Sequence, residues 1–83
     1  MQPKKTYNKI MEGNSDNNIG FNDLQNLLNY LGFEHKSTKG DHFIYYYKTL
    51  PDIINIQPNG SKAKAYQVKQ IRNFLKSNNI TIE

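Results

Sequence analysis

The sequence predicts an α+β fold: one helix, a three-stranded antiparallel sheet and a closing helix, with two helices on one face of the sheet. Three observations carry this. An apolar stripe at helical spacing occupies 21–31, three short aromatic and β-branched runs between turn formers fill 33–57, and a second helical stripe occupies 65–77. A single domain over 1–83 follows, with a core at about 20–80.

Upstream of the core, Tyr7, Ile10 and Met11 point to a short helical extension over 3–12, ended by Gly13 and a polar loop through Asn18. In the first core helix Phe21, Leu24, Leu27, Leu28 and Leu31 share one side, and Asn22, Asp23, Gln25, Asn26 and Asn29 take the other. Gly32 supplies a left-handed stop, and Phe33 opens a new apolar contact beyond it.

The strands are expected at Phe33 to Ser37, His42 to Lys48 and Ile53 to Gln57. Lys39-Gly40 makes a tight first turn because glycine tolerates positive φ, Thr49-Leu50-Pro51-Asp52 makes a longer second one, and Pro58-Asn59-Gly60 ends the third strand. Val68, Ile71, Phe74 and Leu75 give the last helix its apolar face.

Two helices cover one face of such a sheet and leave the other open for a ligand. Alternation separates His42, Ile44 and Tyr46 from Phe43, Tyr45 and Tyr47, without saying which set is buried. Tyr45 is placed inward beside Ile54 and Ile56, and His42 outward, where an imidazole has the access that proton chemistry needs.

Composition narrows the function. The chain has 83 residues, 36% hydrophobic and 22% charged, with a mean hydropathy of -0.82. That is one small core, with little room for multi-step cofactor chemistry, and no cofactor is expected. The absence of cysteine removes disulfides and thiolate ligands and fits a cytoplasmic setting. A polar N-terminus and the lack of any long apolar run argue against secretion and membrane insertion. With only His35 and His42 and scattered carboxylates, no metal site is expected, and His35 reads as a polar strand residue.

The net charge of +4 is unevenly spread. Residues 1–12 carry Lys4, Lys5 and Lys9 against Glu12, and the middle of the chain is slightly acidic. The C-terminal part sets Lys62, Lys64, Lys69, Arg72 and Lys76 against Glu83 alone, which biases an anionic partner toward that end. Lys69, Arg72 and Lys76 are spaced as one helical stripe able to follow a phosphate backbone; solvated lysines that keep a small domain soluble give the same pattern.

From about residue 10 to residue 80 the chain resembles the HicA toxins of bacterial toxin-antitoxin modules. The matching pieces are Leu31-Gly32-Phe33, Gly40-x-His42 entering a strand, Ile56-Gln57-Pro58 with Gly60, Lys62-Ala63-Lys64, and Tyr66-Gln67-Val68-Lys69-Gln70. The resemblance implies a fold like the double-stranded RNA-binding domain, metal-independent cleavage of messenger RNA that depends on His42, and silencing by a HicB-type antitoxin partner. The family commonly reads Gly-Ser-His-His where this chain has Asp41 at the serine and Phe43 at the second histidine. Neighbouring strand residues point to opposite sides, so Asp41 reads as a turn residue rather than a partner that orients His42.

One histidine can serve for RNA because the substrate's 2′-hydroxyl attacks the adjacent phosphate. His42 would act as general acid or base while Lys39 or Lys62 stabilises charge on the phosphoryl oxygens. The expected RNA-binding set is Lys39, Gly40, Lys62, Lys64, Lys69, Arg72 and Lys76. Tyr45, Tyr46 and Tyr47 serve sheet packing, with base stacking as a secondary role. Two other classes remain open: a noncatalytic RNA-binding module in which His42 only touches phosphate or ribose, and a protein-interaction subunit.

Overall fold

A computed structural model describes residues 2–48 and 50–83. The helices are α1 (Pro3–Glu12), α2 (Phe21–Tyr30) and α3 (Ala65–Ser77), with a 3₁₀ turn at Asp16–Asn18. The strands are β1 (Phe33–Lys39), β2 (His42–Tyr47), β3 (Ile53–Ile56), β4 (Pro58–Asn59) and β5 (Lys62–Ala63). The fold is α+β: an antiparallel sheet in the order β1-β2-β3 between α2 and α3, with a separate small β4-β5 ribbon. Among the described residues, no helix is long and apolar enough to cross a membrane.

The stripe of α2 buries Phe21, Leu24, Leu27 and Leu28, and Gly32, at φ +98°, turns the chain into β1. From the sheet, Phe33, Tyr45, Ile54 and Ile56 meet these side chains together with Val68, Ile71 and Leu75 of α3. The upstream segment forms the ten-residue helix α1, and its Ile10 is wholly buried, so a third helix joins the layer. The end of α3 is closed by a left-handed Asn79 (φ 53°), with Ile80 N–H donating back to Leu75 O at 2.9 Å and the Ile80 side chain buried.

The three-stranded expectation holds with adjusted bounds: β1 runs on to Lys39, β2 stops at Tyr47, and β3 stops at Ile56. In the second turn, Thr49 lies outside the described residues. Pro58-Asn59-Gly60 does more than end the third strand. Gly60, at φ +64°, helps turn β4 into β5, and this ribbon is bonded to the start of α2: Ser61 O accepts Phe21 N–H at 2.9 Å and Ile19 O accepts Ala63 N–H at 2.8 Å. The first of these bonds satisfies a donor that the helix itself leaves unpaired.

The register of β1 shifts at an irregularity between His35 and Ser37. Before it, His35 faces Tyr45; after it, Lys39 faces His42. Phe33, Tyr45 and Tyr47 point into the core layer. By alternation, Glu34, Lys39, His42, Ile44, Tyr46, Ile53 and Asn55 occupy the opposite, uncovered face.

Candidate functional site: an amide relay behind an exposed histidine

His42 is the first residue of β2, directly after the Gly40-Asp41 turn, where Gly40 takes φ +60° at the first central position that a two-residue hairpin of this kind reserves for glycine. Its side chain is 46% exposed, and Tyr45 is buried, as the alternation argument placed them. Asp41 is the turn residue expected, yet its Oδ1 comes within 3.8 Å of His42 Nε2. In the turn its side chain is outside strand alternation, so the carboxylate lies near the imidazole at a separation too long for a hydrogen bond.

Two amides hold the ring and a third braces one of them. Asn55, on β3, lies 3.2–3.3 Å from Nδ1, and Gln57 Nε2 lies 3.0 Å from His42 Nε2. Behind them, Gln67 of α3 accepts the backbone N–H of Gln57 through Oε1 at 2.6 Å and donates from Nε2 to Gln57 Oε1 at 3.2 Å. Gln67 is 3% and Gln57 9% exposed, so these two amides form a nearly dry polar pair at the edge of the core.

Gln57 Oε1 also accepts from Lys64 Nζ and Tyr66 OH, each at 3.4 Å. Its two lone pairs serve three donors, which accounts for the long distances. The result is a cluster in which an exposed imidazole, an ammonium and a phenol converge on one glutamine. Lys64 precedes α3 and Tyr66 lies in its first turn, and Tyr66 is 56% exposed, so both are accessible beside His42.

The expected RNA-binding residues divide by location. Lys39 and Gly40 stand next to His42 in the hairpin, and Lys64 joins it through Gln57. Lys62 instead lines a cavity of about 110 Å³ with Thr6, Lys9 and Asp23 near the start of α2, so Lys64 rather than Lys62 is the lysine tied to the histidine. Lys69 and Lys76 are exposed on α3, but at about 100° per residue each projects some 160–180° away from Gln67. The basic stripe therefore points away from the imidazole.

Arg72 leaves that stripe altogether. Its guanidinium forks onto Asp16 at 2.7 and 3.1 Å, also donates to Ile10 O at 3.1 Å, and is only 12% exposed. The hydrogen bond it donates to Asp16 raises its already high pKa further. This residue fastens α3 to α1 and the 3₁₀ turn, and its charge is spent inside the fold.

The remaining aromatic and histidine side chains sort by face. His35 stacks on Tyr45 and Phe43, with ring centroids 5.0 and 5.9 Å apart, and its Nε2–H donates to Ser37 O at 2.9 Å. It lies on the sheet face opposite His42, so the two histidines cannot act as an acid-base pair. Tyr47 packs on Phe33, and Tyr46 on the open face pairs with Glu34, whose hydrogen bond raises the phenol's pKa. With Tyr45 buried, Tyr66 is the aromatic best exposed to a base beside His42. Among the described residues, no three His, Cys, Asp or Glu side chains gather closely enough to hold a metal ion.

Asn55, Gln57, Tyr66 and Gln67 were not singled out by sequence reasoning as site residues. One signal was available: Gln67 is a polar residue four positions before Ile71 on the apolar side of α3, and a buried amide there requires a partner.

Comparison with family models, curated proteins and solved structures finds no match. The functional reading rests on the side chains themselves.

Proposed function

We propose that this chain is a HicA-type toxin, an endoribonuclease that cleaves messenger RNA with His42 as general acid or base and that is restrained by a HicB-type antitoxin. The observation that carries this reading is an exposed imidazole on an open sheet face, braced by Gln57 and Asn55 and set beside Lys64 and Tyr66. His42 takes the proton of a ribose 2′-hydroxyl, and the freed oxygen attacks the neighbouring phosphorus. The bond from phosphorus to the 5′-oxygen breaks, leaving a 2′,3′-cyclic phosphate and a 5′-oxygen that receives a proton.

Lys64 and Lys39 neutralise charge on the phosphoryl oxygens, and Tyr66 offers a stacking surface for a base. The protein supplies no nucleophile and needs none.

The test is incubation of purified protein with single-stranded RNA in EDTA, comparing wild type with His42→Ala. Fragments bearing cyclic phosphate ends are expected with wild type, reduced about 10²- to 10⁴-fold in the variant, and lost when the substrate carries a 2′-deoxyribose at the cleaved position. Equal cleavage by both proteins, or none by either, overturns the enzyme reading. Growth arrest on expression, relieved by an adjacent gene product that co-purifies, is the expected sign of the antitoxin.

One observation favours a second reading, a noncatalytic RNA-binding module: Gln57 already engages the Nε2 of His42 at 3.0 Å. Under that reading RNA affinity persists and no fragments form.

A further inference from the structure

We infer that Gln67, acting through Gln57, fixes His42 as the Nδ1–H tautomer, so that Nε2 is the nitrogen that accepts the substrate's proton. This rests on the cleavage reading above and adds which atom does the work and which residues set it. The argument is one of donors and acceptors. A backbone N–H only donates, so the Gln67 atom 2.6 Å from Gln57 N is its carbonyl oxygen, which leaves its NH₂ to face Gln57.

An NH₂ only donates as well, and an ammonium has no lone pair, so the Gln57 atom that meets Gln67 and Lys64 is its oxygen. Gln57 must then present its own NH₂ to His42 Nε2 at 3.0 Å. A nitrogen that accepts a hydrogen bond carries no proton, so in the neutral ring the proton sits on Nδ1 and donates to Asn55 Oδ1 at 3.3 Å. Asn55 can turn either way and follows; Gln67 cannot, because the main chain holds it.

The consequence is mechanistic. The Gln57 N–H occupies the place that a ribose O–H must take, so it holds Nε2 open as an acceptor until substrate displaces it. Gln57 and Gln67 are positioning residues in this scheme. The charged and titratable groups around the ring are Asp41 at 3.8 Å from Nε2, Lys39 opposite on β1, and Lys64 and Tyr66 behind Gln57.

The experiment is ¹⁵N NMR of the imidazole in the full chain, recorded across pH without RNA, for wild type and Gln57→Glu. Wild type in its neutral form is expected to show a protonated Nδ1 and a bare Nε2; a protonated Nε2 overturns the inference. Gln57→Glu replaces the donor by an acceptor of the same shape, so the proton should move to Nε2 and the titration midpoint should rise by about one to three pH units. An unchanged tautomer and midpoint in a folded Gln57→Glu overturn it. If that variant does not fold, the wild-type spectrum alone decides. A bare Nε2 in a protein that yields no His42-dependent fragments would defeat the cleavage reading while upholding the tautomer assignment, so the two failures are distinguishable.

Discussion

The backbone N–H of Gln57 donates to the side-chain oxygen of Gln67 at 2.6 Å, across ten residues of chain. This bond joins the end of β3 to the first turn of α3 and sets the direction of the amides Gln57 and Gln67 between the core and His42. An unpaired buried N–H carries its full desolvation cost, so the bond matters to folding as well as to chemistry.

Replacing Gln67 by methionine keeps the length of the side chain and removes the acceptor. We expect a loss of about 1–3 kcal/mol of stability, read as a lower denaturation midpoint with unchanged slope. Equal stability of the two proteins would show that water replaces the amide.

Arg72 belongs to the scaffold, whereas Lys69 and Lys76 lie in solvent. A lysine at position 72 keeps the charge but cannot fork onto Asp16 and reach Ile10 O together, so Arg72→Lys should cost about 1–2 kcal/mol. Lys69→Ala and Lys76→Ala should each stay within about 0.5 kcal/mol of wild type. Thermal melts of the three variants check this ordering.

Lys64 and the α3 lysines should also separate in RNA cleavage. Lys64→Ala is expected to lower turnover about 10²-fold, because it removes the ammonium that shares Gln57 with the imidazole. Lys69→Ala should leave turnover on a short oligonucleotide unchanged, since its side chain projects from the far side of the helix. A fall of the same size in both would mean that RNA wraps around α3.

Alkaline pH should weaken the fold. Burial raises the pKa of Tyr45 above its ordinary 10.0, so the folded chain keeps a proton that the unfolded chain has lost. Stability from this group is therefore complete below pH 10.0 and declines as pH rises beyond it. Denaturation midpoints measured upward from pH 9 should fall, and Tyr45→Phe should flatten the decline.

Much of the fold was legible because its signals are periodic. The stripe from Phe21 to Leu28, the stop at Gly32 and the alternation through Tyr45 each repeat one physical preference several times, and the helices and sheet follow from them. The β4-β5 ribbon was not, since two-residue strands are too short to show alternation and are held by bonds to Ile19 and Phe21, distant in sequence. Arg72 misled for a related reason. Its spacing from Lys69 and Lys76 matches a surface stripe, and only the position of Asp16 in space turns it inward. His42 and Gly40 could be placed from turn chemistry, whereas the amides around the ring depend on which of two atoms faces which neighbour, and no residue spacing encodes that.

The register shift in β1 determines the charge next to the histidine. Counted from Phe33 by unbroken alternation, Lys39 would fall on the same side as Phe33 and His35; the irregularity between His35 and Ser37 turns it to face His42 instead. Register, more than composition, thus decides whether an ammonium stands across from the imidazole. Pairing the same residues without that irregularity would set the hydroxyl of Thr38 across from His42 and turn the lysine toward hydrocarbon, whereas deleting the unpaired Lys36 would keep the cation in place.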